Sequence, residues 1–378
     1  MSVGIDDIQI ATGHHVLDLS LLAEARGVDP AKLSIGLGQL AMSMLAPDED
    51  IVTMAAAAAA PIVERVDASR IRSVLVATES GVDQSKAAGV FVHRLLDLPT
   101  TTRVVELKQA CYGGIAGVQL AADQVARRPD DLALVIATDV ARYDLASPGE
   151  PTQGAGAVAM LVSADPRLVE LDAVSGLHTS DVDDFWRPND RTTALVDGHL
   201  STSAYLDSLE GAWRDLDARG GRSLAEVDQH LYHQPFTKMA RKAHARLGEL
   251  VGDGIPALDE AALDVGARLG NAYSASLPGA LAGLLESGDR SGQRLGMFSY
   301  GSGSVGEWMT GVVREGAGVH DAGVRRAIDG RVPLDVAAYE RLHTEHSASS
   351  EDRELPRVTT GPFRMSGVVG GARRYERT

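Results

Sequence analysis

The alternation of apolar and polar positions divides the chain into repeated strand, loop and helix units. Residues 3–11 alternate with the two-residue period of a half-buried strand, and a helix over Leu17–Arg26 precedes the turn at Asp29-Pro30. After the loop Gly36-Leu37-Gly38-Gln39, the acidic residues Asp48-Glu49-Asp50 open a helix that runs to about Val66. Arg72–Thr78 is a short continuous apolar run, the pattern of a strand buried on both faces, and it ends at Glu79. Helical spacing returns over Lys86–Leu96. Val104–Arg128 then repeats the order of strand, loop and helix, with Ile115, Val118, Ala121 and Val125 recurring on one helix face. Leu132–Thr138 is another buried strand, ending at Asp139, and strands at Gly154–Val162 and Leu168–Val174 close the first half.

The second half opens on a long loop, about Gly176–Leu195, that carries Asp184-Phe185-Trp186-Arg187-Pro188. Loops of that length inside compact domains are often functional. A helix over Leu200–Leu216, a strand over Val227–Tyr232, the loop His233-Gln234-Pro235-Phe236 and a helix over Thr237–Leu247 form a third unit of the same kind. Helices near Ala257–Leu269 and Ala275–Leu285 and strands at Leu295–Tyr300 and Val305–Val313 follow, the strands joined by the turn Gly301-Ser302-Gly303-Ser304. Ser347–Arg357 reads as a mobile surface loop, and Phe363–Arg377 as a returning edge strand. Alternating elements of this kind predict an α/β fold with a parallel or mixed sheet, in two related halves spanning residues 1–165 and 166–378.

Composition narrows the class. With 44% apolar and 23% charged residues among 378, the chain has an ordinary globular balance and enough material for a large core. A net charge of −16 argues against nucleic acid as a general partner, so an anionic ligand would need locally gathered cations. No apolar run is long enough to span a bilayer, and the N-terminal residues lack signal-peptide character, so neither a membrane nor export is expected. A single cysteine excludes an internal disulfide and suits a reducing cytoplasm.

That cysteine is the centre of the candidate chemistry. Cys111 falls between a strand and a helix N-terminus, where peptide dipoles and unpaired N–H groups favour a thiolate. Lone cysteines are more often buried packing residues; here Gly113 and Gly114 allow backbone to approach a ligand closely. Three strand ends thus offer Glu79, Cys111 and His233, and ligands in parallel sheets bind beyond the carboxyl ends of strands. Singly, Glu79 also reads as a helix cap and His233 as a packing histidine. Lys238, Arg241, Lys242 and Arg246 recur at helical spacing, as a solvated basic face or a phosphate site.

The strings Ala77-Thr78-Glu79-Ser80, Glu106-Leu107-Lys108-Gln109-Ala110-Cys111-Tyr112-Gly113, His233-Gln234-Pro235-Phe236-Thr237-Lys238-Met239, Gly270-Asn271 and Ser299-Tyr300-Gly301-Ser302-Gly303 closely resemble the 3-hydroxy-3-methylglutaryl-CoA synthases of bacterial mevalonate pathways. The resemblance implies the thiolase fold, five α/β/α/β/α layers built from two similar halves, and a homodimer. It implies Cys111 as the acetylated nucleophile, Glu79 as general acid/base and His233 as the residue holding and polarising acetoacetyl-CoA. It also implies that Thr152, Asp184, Ser201, Asn271 and Ser302 line the substrate site, with Lys238 and Lys242 near the CoA. Acetyl-CoA and acetoacetyl-CoA would be the substrates, with no metal or other cofactor. Two segments depart from the family pattern: Tyr273-Ser274 runs on into Ser276-Leu277-Pro278, and the tail Val368–Arg374 lacks the usual acidic and histidine positions. A related synthase of polyketide β-branching, acting on an acyl carrier protein, would carry the same trio, and a non-catalytic acyl-CoA-binding protein is a further alternative.

Overall fold

The computed structural model describes residues 2–252, 254–345 and 349–378. Its spine is a mixed sheet of ten strands. In spatial order they are Gln229–Tyr232, Arg294–Gly301, Val305–Val313, Val169–Leu171, Val3–Thr12, Gly154–Ala164, Leu132–Ala141, Ile71–Ala77 and Arg103–Leu107, with Gly176–Thr179 paired separately to Val305–Val313. Val3–Thr12 pairs with Gly154–Ala164 on one side and Val169–Leu171 on the other, so the sheet runs continuously between the halves.

Buried strands must hide both faces, and the two-residue period divides their side chains between two cores. Leu134 and Ile136 face the outer helices Ile51–Val63 and Ala88–Leu95. Ala133, Val135 and Ala137 face an inner core shared with Gly113–Arg127 and Ser276–Ser287. Leu295, Met297 and Met309 of the second half reach that same inner core, whereas Phe298, Tyr300 and Trp308 point outward to Gly198–Ala218 and Thr237–Val251. Two sheet regions between three helical layers make the α/β/α/β/α arrangement. Close packing of the inner layer depends on glycine. A Cβ at Gly114 would stand 2.5 Å from the carbonyl oxygen of Ser274, a separation that no side chain tolerates.

Several elements differ from expectation. His15–Asp18 is a strand paired with Ala41–Met44, and the helix starts only at Leu19, where Asp18 accepts the Ser20 N–H as N-cap. Asp50 is likewise the N-cap of Ile51–Val63, in a capping box with Thr53, instead of a first-turn residue. The Gly36–Gln39 loop overlaps a wide helical turn, Lys32–Leu37, closed by Gly38 at φ 76°. The expected loop 176–195 contains the strand Gly176–Thr179 and one strand of a hairpin, Phe185–Trp186 with Leu195–Val196. Its apolar positions are too few and too interrupted to show a period. Phe363–Val369 and Ala372–Arg377 form a hairpin with Arg353–Glu354, a separate sheet and not an edge of the main one. Of the expected loop 347–357, residues 347 and 348 lie outside the described residues, and the remainder contains Arg353–Glu354. Pro278 occupies the first turn of Ser276–Ser287, where its missing N–H costs nothing.

Candidate active site

Register brings the chemistry to one end of the sheet. Ile71–Ala77 lies parallel to both neighbours, with Ala77 opposite Leu107 and Ala137, so the segments bearing Glu79 and Cys111 leave the sheet side by side, while Asp139 stays within Leu132–Ala141, which runs two residues past its expected end and pairs on with Gly154–Ala164. Gln229–Tyr232 runs parallel to Arg294–Gly301 and delivers His233 at its own carboxyl end. Between them opens a cavity of about 440 Å³ lined by Cys111, Tyr143, Thr152, Ser201, His233, Asn271 and Ser302, among others.

The turn that presents Cys111 is held from several directions. Ala110, just before it, sits at φ 43°, a left-handed conformation that costs a residue with a Cβ about 1 kcal/mol or more and persists only where neighbours enforce it. The neighbours are evident. Tyr112 donates its hydroxyl to Glu307 at 2.7 Å, and Gln109 Nε2 donates to the Ser302 carbonyl at 3.2 Å, both in the second half. Gly301 lies so near that a Cβ there would fall 2.5 Å from the Gln109 oxygen. The thiol therefore sits at the seam of the two halves.

Glu79 Oε1 accepts from Cys111 Sγ at 3.5 Å. Its backbone N–H donates to Asp139 Oδ1 at 2.9 Å, and the hydroxyls of Thr78, Ser80 and Ser274 donate to the same carboxylate. Arg187 reaches in from the hairpin, its Nη2 2.6 Å from the Glu79 carbonyl and 3.5 Å from Oε2. Burial, reinforced by the Asp139 charge, pushes the Glu79 carboxyl up to about 8 against the pull of Arg187. Cys111 is affected even more. Burial first, then Glu79, Asp139 and Asp184, raise the thiol well above its ordinary range. The expected helix-end thiolate is thus overruled: a helix terminus contributes about 2 kcal/mol at most, and three carboxylates in a dry site outweigh it.

His233 is 1% exposed, and neither ring nitrogen has a hydrogen-bond partner among the described residues. Its backbone is pinned instead: the N–H donates to Phe298 and the carbonyl accepts the Tyr205 hydroxyl, both at 2.8 Å. Burial holds the imidazole down to about 3, so it is neutral at ordinary pH. Asn271 Oδ1 accepts the Tyr273 N–H at 2.9 Å, and its own N–H donates to the Thr152 carbonyl. Ser201 lies in the first turn of Gly198–Ala218, capped by Asp197. Asp184 stands apart from this group. Fully buried, it accepts from the Tyr300 hydroxyl at 2.9 Å and the Gly303 N–H at 3.0 Å, supporting the Ser302 turn from behind the cavity wall. Lys238 and Lys242 are exposed on Thr237–Val251 and do not line the cavity. Arg241 and Arg246 on the same helix pair with Glu260, Glu210 and Glu249.

The first 167 residues match the family model described as hydroxymethylglutaryl-coenzyme A synthase N terminal, and residues 169–250 and 257–341 match its C-terminal counterpart. The chain belongs to the hydroxymethylglutaryl-CoA synthase family. It is 41% identical over 363 residues to the hydroxymethylglutaryl-CoA synthase of Enterococcus faecalis, covering 94% of this chain and 95% of that one. It is 32% identical to the polyketide-biosynthesis 3-hydroxy-3-methylglutaryl-ACP synthase PksG of Bacillus subtilis (strain 168), over 90% and 88% of the two chains. Among solved structures, an HMG-CoA synthase complexed with CoA superposes at TM-score 0.93 with 37% identity, covering all of both chains. The HMG synthase of the curacin pathway, in complex with apo donor-ACP, reaches the same TM-score at 31% identity, again over both whole chains. The fold is therefore the thiolase fold of hydroxymethylglutaryl-CoA synthases.

Sequence reading alone does not find three residues that the fold gathers around Glu79 and Cys111. Asp139 was visible only as the end of a buried strand, and nothing in its flanks shows that five donors converge on it. Arg187 falls inside the long expected loop, where nothing in the string Asp184–Pro188 names Glu79 as its partner. Tyr143 lines the cavity and makes an edge-on ring contact with Phe185, which in turn meets Tyr273; it comes two residues after Leu132–Ala141, past the end at Asp139 that the apolar run marks.

Proposed function

We propose that this protein condenses acetyl-CoA with acetoacetyl-CoA and water to give 3-hydroxy-3-methylglutaryl-CoA and free CoA, through an acetyl-Cys111 intermediate. The observation that carries the residue roles is the contact of Cys111 Sγ with Glu79 Oε1 at 3.5 Å, where Cys111 and His233 line one cavity. Because the thiol is held up by burial, it loses its proton as it attacks and not beforehand. The Glu79 carboxylate accepts that proton, the sulfur adds to the acetyl carbonyl, and the proton passes to the departing CoA sulfur. Glu79, again ionised, then removes a proton from the methyl group of the acetyl thioester. The resulting carbanion attacks the ketone carbon of acetoacetyl-CoA, and the new alkoxide takes the proton back from Glu79. A carboxyl near 8 is a stronger base once ionised than an ordinary carboxylate and still yields its proton to an alkoxide. Water finally hydrolyses the enzyme thioester and restores the thiol.

His233, neutral and unpaired, offers a ring N–H to the acceptor's carbonyl, with Asn271 and Ser302 completing the polar wall. Asp184 acts through the Ser302 turn. Lys238 and Lys242, unengaged by any ion pair among the described residues, form a phosphate-attracting face for CoA on an acidic protein. The chemistry calls for no metal or redox cofactor. A cytoplasmic, homodimeric enzyme of the mevalonate route to isoprenoid precursors completes the reading, supported by the lone free cysteine and by the family.

The equal superposition on a synthase in complex with a donor acyl carrier protein favours one competing carrier. Turnover with acetyl and acetoacetyl groups on free CoA, compared with the same groups on an acyl carrier protein, separates the two readings. Free CoA thioesters should be competent, and Lys242→Glu should raise KM for them more than it lowers kcat, since phosphate contacts act alike in ground and transition states. Rapid turnover only on the carrier, with Lys242→Glu leaving CoA kinetics unchanged, overturns the CoA reading. Intact mass after mixing with acetyl-CoA tests the non-catalytic alternative: no acetyl group on Cys111 revives it.

A further inference from the structure

The two oxygens of the Glu79 carboxyl have different partners. Oε1 faces the Cys111 thiol, and Oε2 faces Arg187 Nη2, each at 3.5 Å. The same guanidinium nitrogen donates to the Glu79 carbonyl at 2.6 Å, so side chain and backbone of this one residue are gripped together. Arg187 belongs to neither strand that frames Glu79. It follows directly on Phe185–Trp186, a strand of the second-half hairpin whose other strand, Leu195–Val196, lines the cavity.

We propose that Arg187 is a positioning residue for the proton-transfer group: it turns the Glu79 carboxyl toward Cys111, favours its charged form, and so ties the hairpin to the base. The inference rests on the reading of Glu79 given above. Among the described residues whose charges act on Glu79, Arg187 is the cation that favours its ionised form, and the Cys111 thiol adds a weaker pull by donating to Oε1. Asp139, from the strand Leu132–Ala141, repels it; Cys111 carries its proton; Tyr143 and Tyr273 are held as neutral phenols by burial. Arg142 opposes the charge of Arg187 and forms no ion pair with Glu79. With side chains 20% and 8% exposed, Arg187 and Glu79 are only weakly screened. An opposite charge at such range lowers a carboxyl by roughly 1–3 pH units, and partial exposure puts this pair near the lower end. Without Arg187 the ionised fraction of Glu79 at neutral pH falls about tenfold for each unit lost.

The test uses the full-length enzyme carrying Arg187→Met or Arg187→Lys, each with and without Glu79→Gln. Unfolding free energy is measured from pH 5 to 10, and the difference between each protein and its Glu79→Gln derivative levels off where Glu79 has finished ionising, without reference to activity. For Arg187→Met the levelling pH should move up by about one unit; for Arg187→Lys it should stay near the parent's. In parallel, the acid limb of kcat should move by the same amount with acetyl loading saturated, which a merely structural loss would not produce. An unmoved levelling pH in Arg187→Met overturns the inference, as does Arg187→Lys matching Arg187→Met. If the levelling pH moves and the acid limb does not, the role of Arg187 stands and the assignment of Glu79 as the base fails.

Discussion

Replacing Glu79 by glutamine should stabilise this enzyme while disabling it, and the size of the gain follows from the geometry. Burial beside Asp139 lifts the carboxyl from an ordinary 4.5 to about 8. Between those values the folded chain holds a proton that the unfolded chain has released, so the folded state is progressively penalised as pH rises. The relative stability is fully present below pH 4.5 and lost by about pH 8. Each unit is worth about 1.4 kcal/mol, which sets an upper bound of about 5 kcal/mol above pH 8 and about 3 kcal/mol at pH 7. Glutamine keeps the size and one acceptor oxygen but never ionises. Arg187, a fifth exposed, recovers hydration when its partner charge disappears. Denaturant unfolding of parent and variant from pH 5 to 9 should therefore diverge, the variant gaining steadily and then running parallel above pH 8. In the same variant acetyl loading should slow and condensation should fall by about 10²–10⁴, the usual contribution of a placed acid/base. Stability profiles that stay parallel across the whole range would refute the buried, proton-holding state of Glu79.

Cys111→Ala should abolish acetyl loading and turnover, because no second thiol exists; an acetyl mass shift surviving in that variant would sink the assignment. His233→Ala should chiefly raise KM for acetoacetyl-CoA and leave partial loading; complete loss of loading with normal acceptor binding would show that the imidazole serves the thiol instead. Gly301→Ala should cost about 1–3 kcal/mol by pressing a methyl group into the Gln109 carbonyl, and should slow acetylation by displacing the Cys111 turn. Unchanged melting temperature and loading rate in that variant would mean the seam is softer than its contacts suggest.

Much of this architecture is local and therefore legible in the chain. Ile115, Val118, Ala121 and Val125 announce the helix behind the cysteine because a 3.6-residue turn leaves no other way to bury them together. Uninterrupted runs such as Leu132–Thr138 announce strands covered on both faces, and their ends mark Glu79, Cys111 and His233 as the residues leaving the sheet where ligands bind. Capping chemistry such as Asp50 with Thr53 is visible in the string, although its register slipped by a residue or two. What no local pattern holds is the meeting of distant segments. The hairpin at Phe185 owes its form to pairing with Leu195–Val196 and to packing on Tyr143 and Tyr273, so its own sequence reads as loop. Asp184 looked like a pocket residue and turns its carboxylate to Tyr300 and Gly303 behind the wall. The charge state of the thiol escapes local reading for the same reason. A helix N-terminus is written in the sequence, but burial and the carboxylates of Glu79, Asp139 and Asp184 reach Cys111 from three other stretches of chain. Ionisation depends on everything within a few ångströms in space, and only the folded chain determines which groups those are.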